Sequence, residues 1–97
     1  MAIIRIVQPP GLAPEMYDAV SAKLDVKGNP PDGLVIHTAG DANGTFQIVE
    51  VWESEEHAQR FENERLAPTI SEVAGDGAPS RADAKITTYE LHNLVKP

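Results

Sequence analysis

Apolar residues recur along the chain with two alternating periods, and the alternation predicts an order of elements. Ala2–Gln8 carries branched apolar side chains on both faces of an extended chain and is stopped at Pro9-Pro10-Gly11, which predicts a first strand in a central position of a sheet. Pro14 suits the first turn of a helix, and Met16, Ala19, Val20 and Leu24 follow at three- and four-residue steps, so the spacing predicts an amphipathic helix over Pro14–Leu24. Glu15 and Asp18 sit at its positive end and Lys23 at its negative end. Asp25–Gly33 is punctuated by Gly28, Pro30, Pro31 and Gly33 and reads as a loop feeding a second strand, Leu34–Ala39. Gly40–Gly44 supplies residues that tolerate positive φ, and Thr45–Trp52 is again strand-like, so the two strands form a hairpin.

Ser54 is placed to cap a further helix whose first turn holds Glu55 and Glu56. Ala58, Phe61 and Leu66 form its buried side, with uneven spacing around Arg65. Pro68 then interrupts or restarts the helix, which predicts a kinked or split element closed by Gly75. A loop over Gly75–Asp83 with Pro79 and a last strand over Ala84–Val95 complete the chain. The order βαββαβ predicts an α+β, ferredoxin-like fold. Its four-stranded antiparallel sheet has the first and last strands adjacent, the hairpin to one side, and both helices on one face.

The other face of that sheet is left bare, yet the hairpin strands are apolar on both sides. Leu34 and Ile36 oppose Val35 and Ala39, and Phe46, Ile48 and Trp52 oppose Val49 and Val51. A sheet covered on one side only alternates apolar with polar, so a second cover is expected, most economically a second copy of the chain.

Composition narrows the function classes. A length of 97 residues suits a single domain spanning 1–97, small enough for association to add stability. The absence of cysteine removes disulfides and thiolate chemistry and fits a reducing compartment. A net charge of −7 without a cluster of Lys or Arg argues against nucleic acid as a partner. The apolar stretch Ala2–Val7, broken by Arg5, is too short for a signal-peptide core or a membrane span. The expectation is a cytoplasmic protein without a membrane partner.

Gly33-Leu34-Val35-Ile36-His37-Thr38-Ala39-Gly40, then Glu50-Val51-Trp52-Glu53-Ser54 leading into a helix with Phe61, then Arg65-Leu66-Ala67-Pro68, resembles the antibiotic biosynthesis monooxygenase-like proteins. The resemblance implies a dimeric α/β barrel, in which two sheets pack face to face and each subunit keeps a cavity between its sheet and its helices. Activities among such proteins include quinone-forming monooxygenation, haem degradation, isomerisation and decarboxylation. The haem-degrading branch carries an Asn on the first strand, a Trp near the end of the third and a His on the next helix. Trp52 matches, but the first strand has no Asn and His57 lies too early in its helix, so haem degradation is not implied.

With Gly40 opposite Thr45, His37 faces Ile48 and Val35 faces Glu50, and His37, Ile48, Glu50 and Trp52 share one side of the hairpin. A one-residue slip would move His37 to the other side. An imidazole, a carboxylate and an indole on an apolar wall suit cofactor-independent oxygenation of an electron-rich phenol: a base removes the phenolic proton, the anion passes an electron to dioxygen, and a dry pocket excludes water. Imidazole suits the base role because it titrates near neutral pH. His37 is the candidate base, Glu50 its orienter and Trp52 a stacking surface, with Ile48, Phe61 and His92 as further substrate-binding candidates.

The same residues also fit ordinary roles. His37 and Trp52 suit core or interface packing, His92 suits surface packing near the chain end, His57 suits an exposed helix turn, and Arg65 suits either a ligand anion or an ion pair with Glu62 or Glu64. Three separated histidines without HxH or HExxH spacing predict no metal site, and Gly40 and Gly44 belong to a hairpin and not to a phosphate-binding turn. No cofactor is expected. Two functions stay open: a cofactor-independent monooxygenase or related enzyme acting on a small aromatic or polyketide-like molecule, and a non-catalytic dimeric module binding a small apolar ligand. The direction of His37 separates them.

Overall fold

Strand β1 (Ile3–Gln8) lies between β3 (Thr45–Trp52) and β4 (Lys85–Glu90), and β2 (Leu34–Ala42) forms the far edge, giving an antiparallel sheet of order β2-β3-β1-β4. The computed structural model describes residues 1–9, 13–75 and 84–97. Part of the predicted turn at Pro9-Pro10-Gly11 and nearly all of the predicted loop Gly75–Asp83 lie outside them.

Helix α1 (Pro14–Leu24) has the predicted bounds: Pro14 opens it, and Asp25 ends it in the left-handed region at φ 51°, its N–H returning to the Ser21 carbonyl at 3.0 Å. The hairpin is tighter than expected. Asn43 and Gly44, at φ 55° and 87°, make a two-residue turn in which both centres are left-handed, and the strands extend to Ala42 and back from Thr45. Gly40 therefore pairs with Gln47 instead of Thr45, and His37 faces Glu50 directly instead of Ile48. A two-residue shift preserves which side each residue occupies, so the expected side-chain grouping survives the wrong register.

The second helical segment is continuous but changes pitch. Helix α2 (Glu55–Phe61) passes through one π turn (Glu62–Leu66) into α3 (Ala67–Ala74), and the Ala67 N–H reaches the Glu62 carbonyl, five residues back. An α-helical Pro68 would crowd the carbonyl four residues before it and lacks an N–H to give; widening the preceding turn accommodates it. Gly75 closes α3 at φ 56°. Strand β4 ends at Glu90, shorter than the predicted Ala84–Val95: its ladder with β1 stops at the Ile3–Glu90 pair, Leu91 makes one more bond, to the Ala2 carbonyl at 2.9 Å, and the chain leaves the sheet.

Both helical segments cover one face of the sheet. The inner cluster there is Ile3, Trp52 and Ala58, with Leu34 and Phe61 packed against it. Trp52 is 1% exposed, and its ring tilts against Phe61 with centroids 5.5 Å apart. On the opposite face the register lines up Ile36, Val51, Ile4 and Tyr89 across all four strands, beside a second row of Thr38, Val49, Ile6 and Thr87. Ile36 and Tyr89 are 43% and 48% exposed. Among the described residues no helix is long and apolar enough to cross a membrane.

His57 departs from its expected exposed setting. Ser54 caps α2 by accepting from the His57 N–H at 3.2 Å, and the Ser54 hydroxyl meets His57 Nδ1 at 2.6 Å. The ring is thereby folded back over Gly33, whose φ of 86° and missing side chain make room for it. It is a packing element joining the α2 cap to the start of β2.

Candidate functional site

Between the helices and the covered face of the sheet lies a cavity of about 170 Å³. Ile48, Val7 and Ile86 line its sheet side, and Val20, Leu24, Leu66 and Ile70 line its helical side. Positions 58, 62, 66, 70 and 74 all contribute to the helical wall. Four residues overshoot a regular helical turn by about 40°, so a straight helix would swing such a row out of line. The π turn absorbs part of that drift and holds both halves of the helix on one cavity.

Four side chains on this wall, Trp52, Glu50, His37 and Tyr17, form one connected polar string. Glu50 Oε1 accepts from Trp52 Nε1 at 3.1 Å, its Oε2 lies 2.6 Å from His37 Nδ1, and His37 Nε2 lies 2.6 Å from the Tyr17 hydroxyl. A carboxylate only accepts, so Nδ1 carries the imidazole proton and Nε2 presents its lone pair to the Tyr17 O–H. The rings of Tyr17 and His37 are 3° from parallel, and Phe46 flanks Tyr17 with centroids 5.0 Å apart. Burial holds the Tyr17 phenol above its ordinary range; the Ser21 hydroxyl opposes this, and the charges of Glu50 and Asp18 add to it. Tyr17 is thus a neutral donor at physiological pH.

Each candidate from the sequence can now be placed. His37, Glu50, Trp52, Ile48 and Phe61 all line the cavity. His92 does not: it lies beyond the end of β4, exposed and apart from the other five. Arg65 neither binds the cavity nor pairs with Glu62 or Glu64; one of its terminal nitrogens donates to the Leu24 carbonyl at 2.8 Å, closing the end of α1, and its guanidinium sits 5.5 Å from the Phe61 centroid. Among the described residues no three His, Cys, Asp or Glu side chains converge on a metal-sized space.

Three titratable residues of the cavity lining were not among the site candidates read from the sequence: Tyr17, Arg5 and Glu62. Tyr17 carries a signal, since with Ser21 it falls on the same helical face as Val20 and Leu24. Arg5 carries one too, a lone charge in an otherwise apolar strand whose alternate residues Ile3 and Val7 face the helices. Glu62 carried none, because its direction depends on the π turn.

No protein-family profile matches the chain, and no curated protein matches it in sequence. Solved structures do match in shape. A dimeric ferredoxin-like protein of unknown function from Jannaschia sp. CCS1 aligns at TM-score 0.66 with 8% identity, covering 94% of this chain and 100% of its own. A candidate antibiotic biosynthesis monooxygenase from Deinococcus radiodurans aligns at 0.62 with 16% identity, covering 100% and 98%. SnoaB, a cofactor-independent oxygenase from Streptomyces nogalater, aligns at 0.59 with 15% identity, covering 99% and 96%. The chain therefore has the ferredoxin-like fold shared by antibiotic biosynthesis monooxygenase-like and dimeric ferredoxin-like proteins, as the resemblance read from its sequence implied.

Proposed function

We propose that this chain is a single-domain, cytoplasmic, cofactor-independent monooxygenase of small phenolic aromatics, working as a dimeric α/β barrel. The observation that carries the reading is the Tyr17–His37–Glu50 string opening onto an apolar cavity. The volume is close to the ~150 Å³ that encloses one benzene ring, which favours a single-ring substrate over a fused polyketide. Neighbours of the same fold supply the chemistry in outline, SnoaB being a cofactor-independent oxygenase.

In this reading the substrate hydroxyl gives its proton to the Tyr17 oxygen as Tyr17 passes its own to His37 Nε2, so that Tyr17 stays neutral throughout. Glu50 fixes the imidazole tautomer and stabilises the imidazolium that forms. The phenolate, enclosed by Ile48 and Phe61 beside the buried Trp52, transfers an electron to dioxygen. One oxygen atom becomes the second carbonyl of a quinone. The other leaves as water with the hydroxyl and ring hydrogens, so the substrate supplies every electron and no reductant enters. His92 has no part in this scheme. Dimerisation covers the row Ile36, Val51, Ile4 and Tyr89 and leaves the cavity within each subunit.

The test is a panel of single-ring phenols under labelled dioxygen, with product mass and oxygen uptake as readouts. One labelled atom per quinone, at a rate above autoxidation, is expected. Binding without oxygen uptake across the panel would favour the non-catalytic ligand-binding module instead.

A further inference from the structure

The cavity floor has a second polar end, opposite Tyr17. Arg5 is the cross-strand neighbour of Glu50 on β1, as His37 is on β2, so His37, Glu50 and Arg5 follow one another in a single row across the sheet. Arg5 is only 14% exposed, and one terminal nitrogen donates to Glu62 Oε2 at 2.7 Å; Glu62, at the start of the π turn, is 22% exposed. Both line the cavity.

A guanidinium has five N–H donors, and the bond to Glu62 uses one. The other donors are open to the cavity and not sealed without a partner, so this end can receive an oxygen atom from whatever fills it in place of water. The charge of that atom follows from the neighbours. Glu62 holds Arg5 from one side and Glu50 lies beside it in the row, so a carboxylate placed there would meet two acidic neighbours. An uncharged carbonyl oxygen takes the free donors without that repulsion. Strands stand about 4.8 Å apart, so His37 and Arg5 rise from points roughly 10 Å apart, and their side chains narrow this to the reach of one ring bearing oxygens at opposite ends.

We propose that Arg5, held by Glu62, is the second polar contact for the ligand, and that the cavity selects a single-ring phenol with an uncharged carbonyl opposite its hydroxyl over the carboxylate analogue. This rests on the reading that the cavity is the substrate site, and it is tested by binding alone, without turnover.

Trp52 is the one tryptophan of the chain and lies on the cavity wall, so its indole N–H gives a single resonance that reports occupancy. The full-length protein is titrated at neutral pH with para-hydroxyacetophenone, para-hydroxybenzoate and phenol. The ketone is expected to bind about tenfold or more tighter than either of the others, the scale of a hydrogen bond to a charged group. Arg5→Met should reduce the ketone to the affinity of phenol and leave phenol unchanged. Glu62→Gln should reverse the order, the carboxylate now binding better than the ketone. Equal or tighter binding of the benzoate by the unmodified protein, an unchanged order in Glu62→Gln, or no movement of the indole signal with any probe each overturns the proposal. The unmodified protein decides the first and last of these even if a variant fails to fold. Preferential ketone binding without oxygen transfer in the labelled-dioxygen assay would remove the oxygenase reading and leave this one standing.

Discussion

His37 and Glu50 face each other across the β2–β3 pair and meet at 2.6 Å through Nδ1 and Oε2, while the other imidazole nitrogen is turned to Tyr17. The carboxylate decides which nitrogen is protonated, and so which one can act as a base toward the cavity. His37→Gln should lower turnover of a phenolic substrate by ~10²–10⁴-fold, the usual cost of losing a positioned base, with the melting temperature close to that of the unmodified protein. Glu72→Gln, on the exposed pair with Lys23, is the control and should change neither rate nor stability measurably. Equal rates for His37→Gln and the control would remove His37 from the base role.

Tyr17→Phe separates a proton relay from simple contact. If the substrate proton travels through the Tyr17 oxygen, the variant should lose about 10²-fold or more in kcat with little change in KM. If the substrate instead displaces Tyr17 from His37 Nε2, kcat would be kept and the relay would be wrong.

The same variant predicts a change in alkaline stability. The folded protein holds the Tyr17 phenolic proton above the 10.0 of a free phenol, mainly through burial. The contribution is therefore fully present below that value and is lost as pH rises through the higher folded value. Melting temperature measured from neutral to strongly alkaline pH should fall more steeply above about pH 10 for the unmodified protein than for Tyr17→Phe. Parallel curves would mean that the folded state does not hold this proton.

Gly33→Ala should destabilise by roughly 1–3 kcal/mol, since alanine is strained at φ 86° and its methyl group would collide with the His57 ring. Adding His57→Ala removes the collision but not the strain, so the double variant should recover part of the loss. Chemical denaturation of the four proteins of this cycle measures it; strict additivity would show that the ring does not touch this glycine in solution.

Sedimentation of the unmodified chain should give twice its mass, and Ile36→Glu, placed on the bare row of the sheet, should give a folded monomer. A monomeric unmodified protein at micromolar concentration would remove the barrel dimer.

The sequence disclosed most where local chemistry governs. Pro14 and the left-handed Asp25 bound α1, and Asn43-Gly44 punctuates the hairpin, so those elements fell near their expected places. The common side of His37, Glu50 and Trp52 also survived, because strand alternation is blind to a slip of two. What stayed hidden depends on contacts between distant segments. Glu55 and Glu56 beside His57 suggested solvent, but Gly33 supplies a surface for its ring. Leu91, Leu94 and Val95 continue the strand-like pattern of β4, but the ladder with β1 stops at the Ile3–Glu90 pair. Helical periodicity turns Tyr17 inward, but that it meets His37 on β2 and Phe46 on β3 follows only from how α1 lies over the hairpin.

The π turn makes the cavity adjustable at one place in the chain. A residue deleted within Glu62–Leu66 would remove the one residue by which this turn exceeds an ordinary helical turn, so α3 would keep its facing while the wall beside Glu62 is narrowed and Pro68 is brought into an α-helical setting that crowds the carbonyl four residues before it. The sheet, with the His37–Glu50 pair and Arg5, would be left as it is. Single-residue length variants at this turn thus change one stretch of the helical wall while the proton-handling groups on the sheet stay constant.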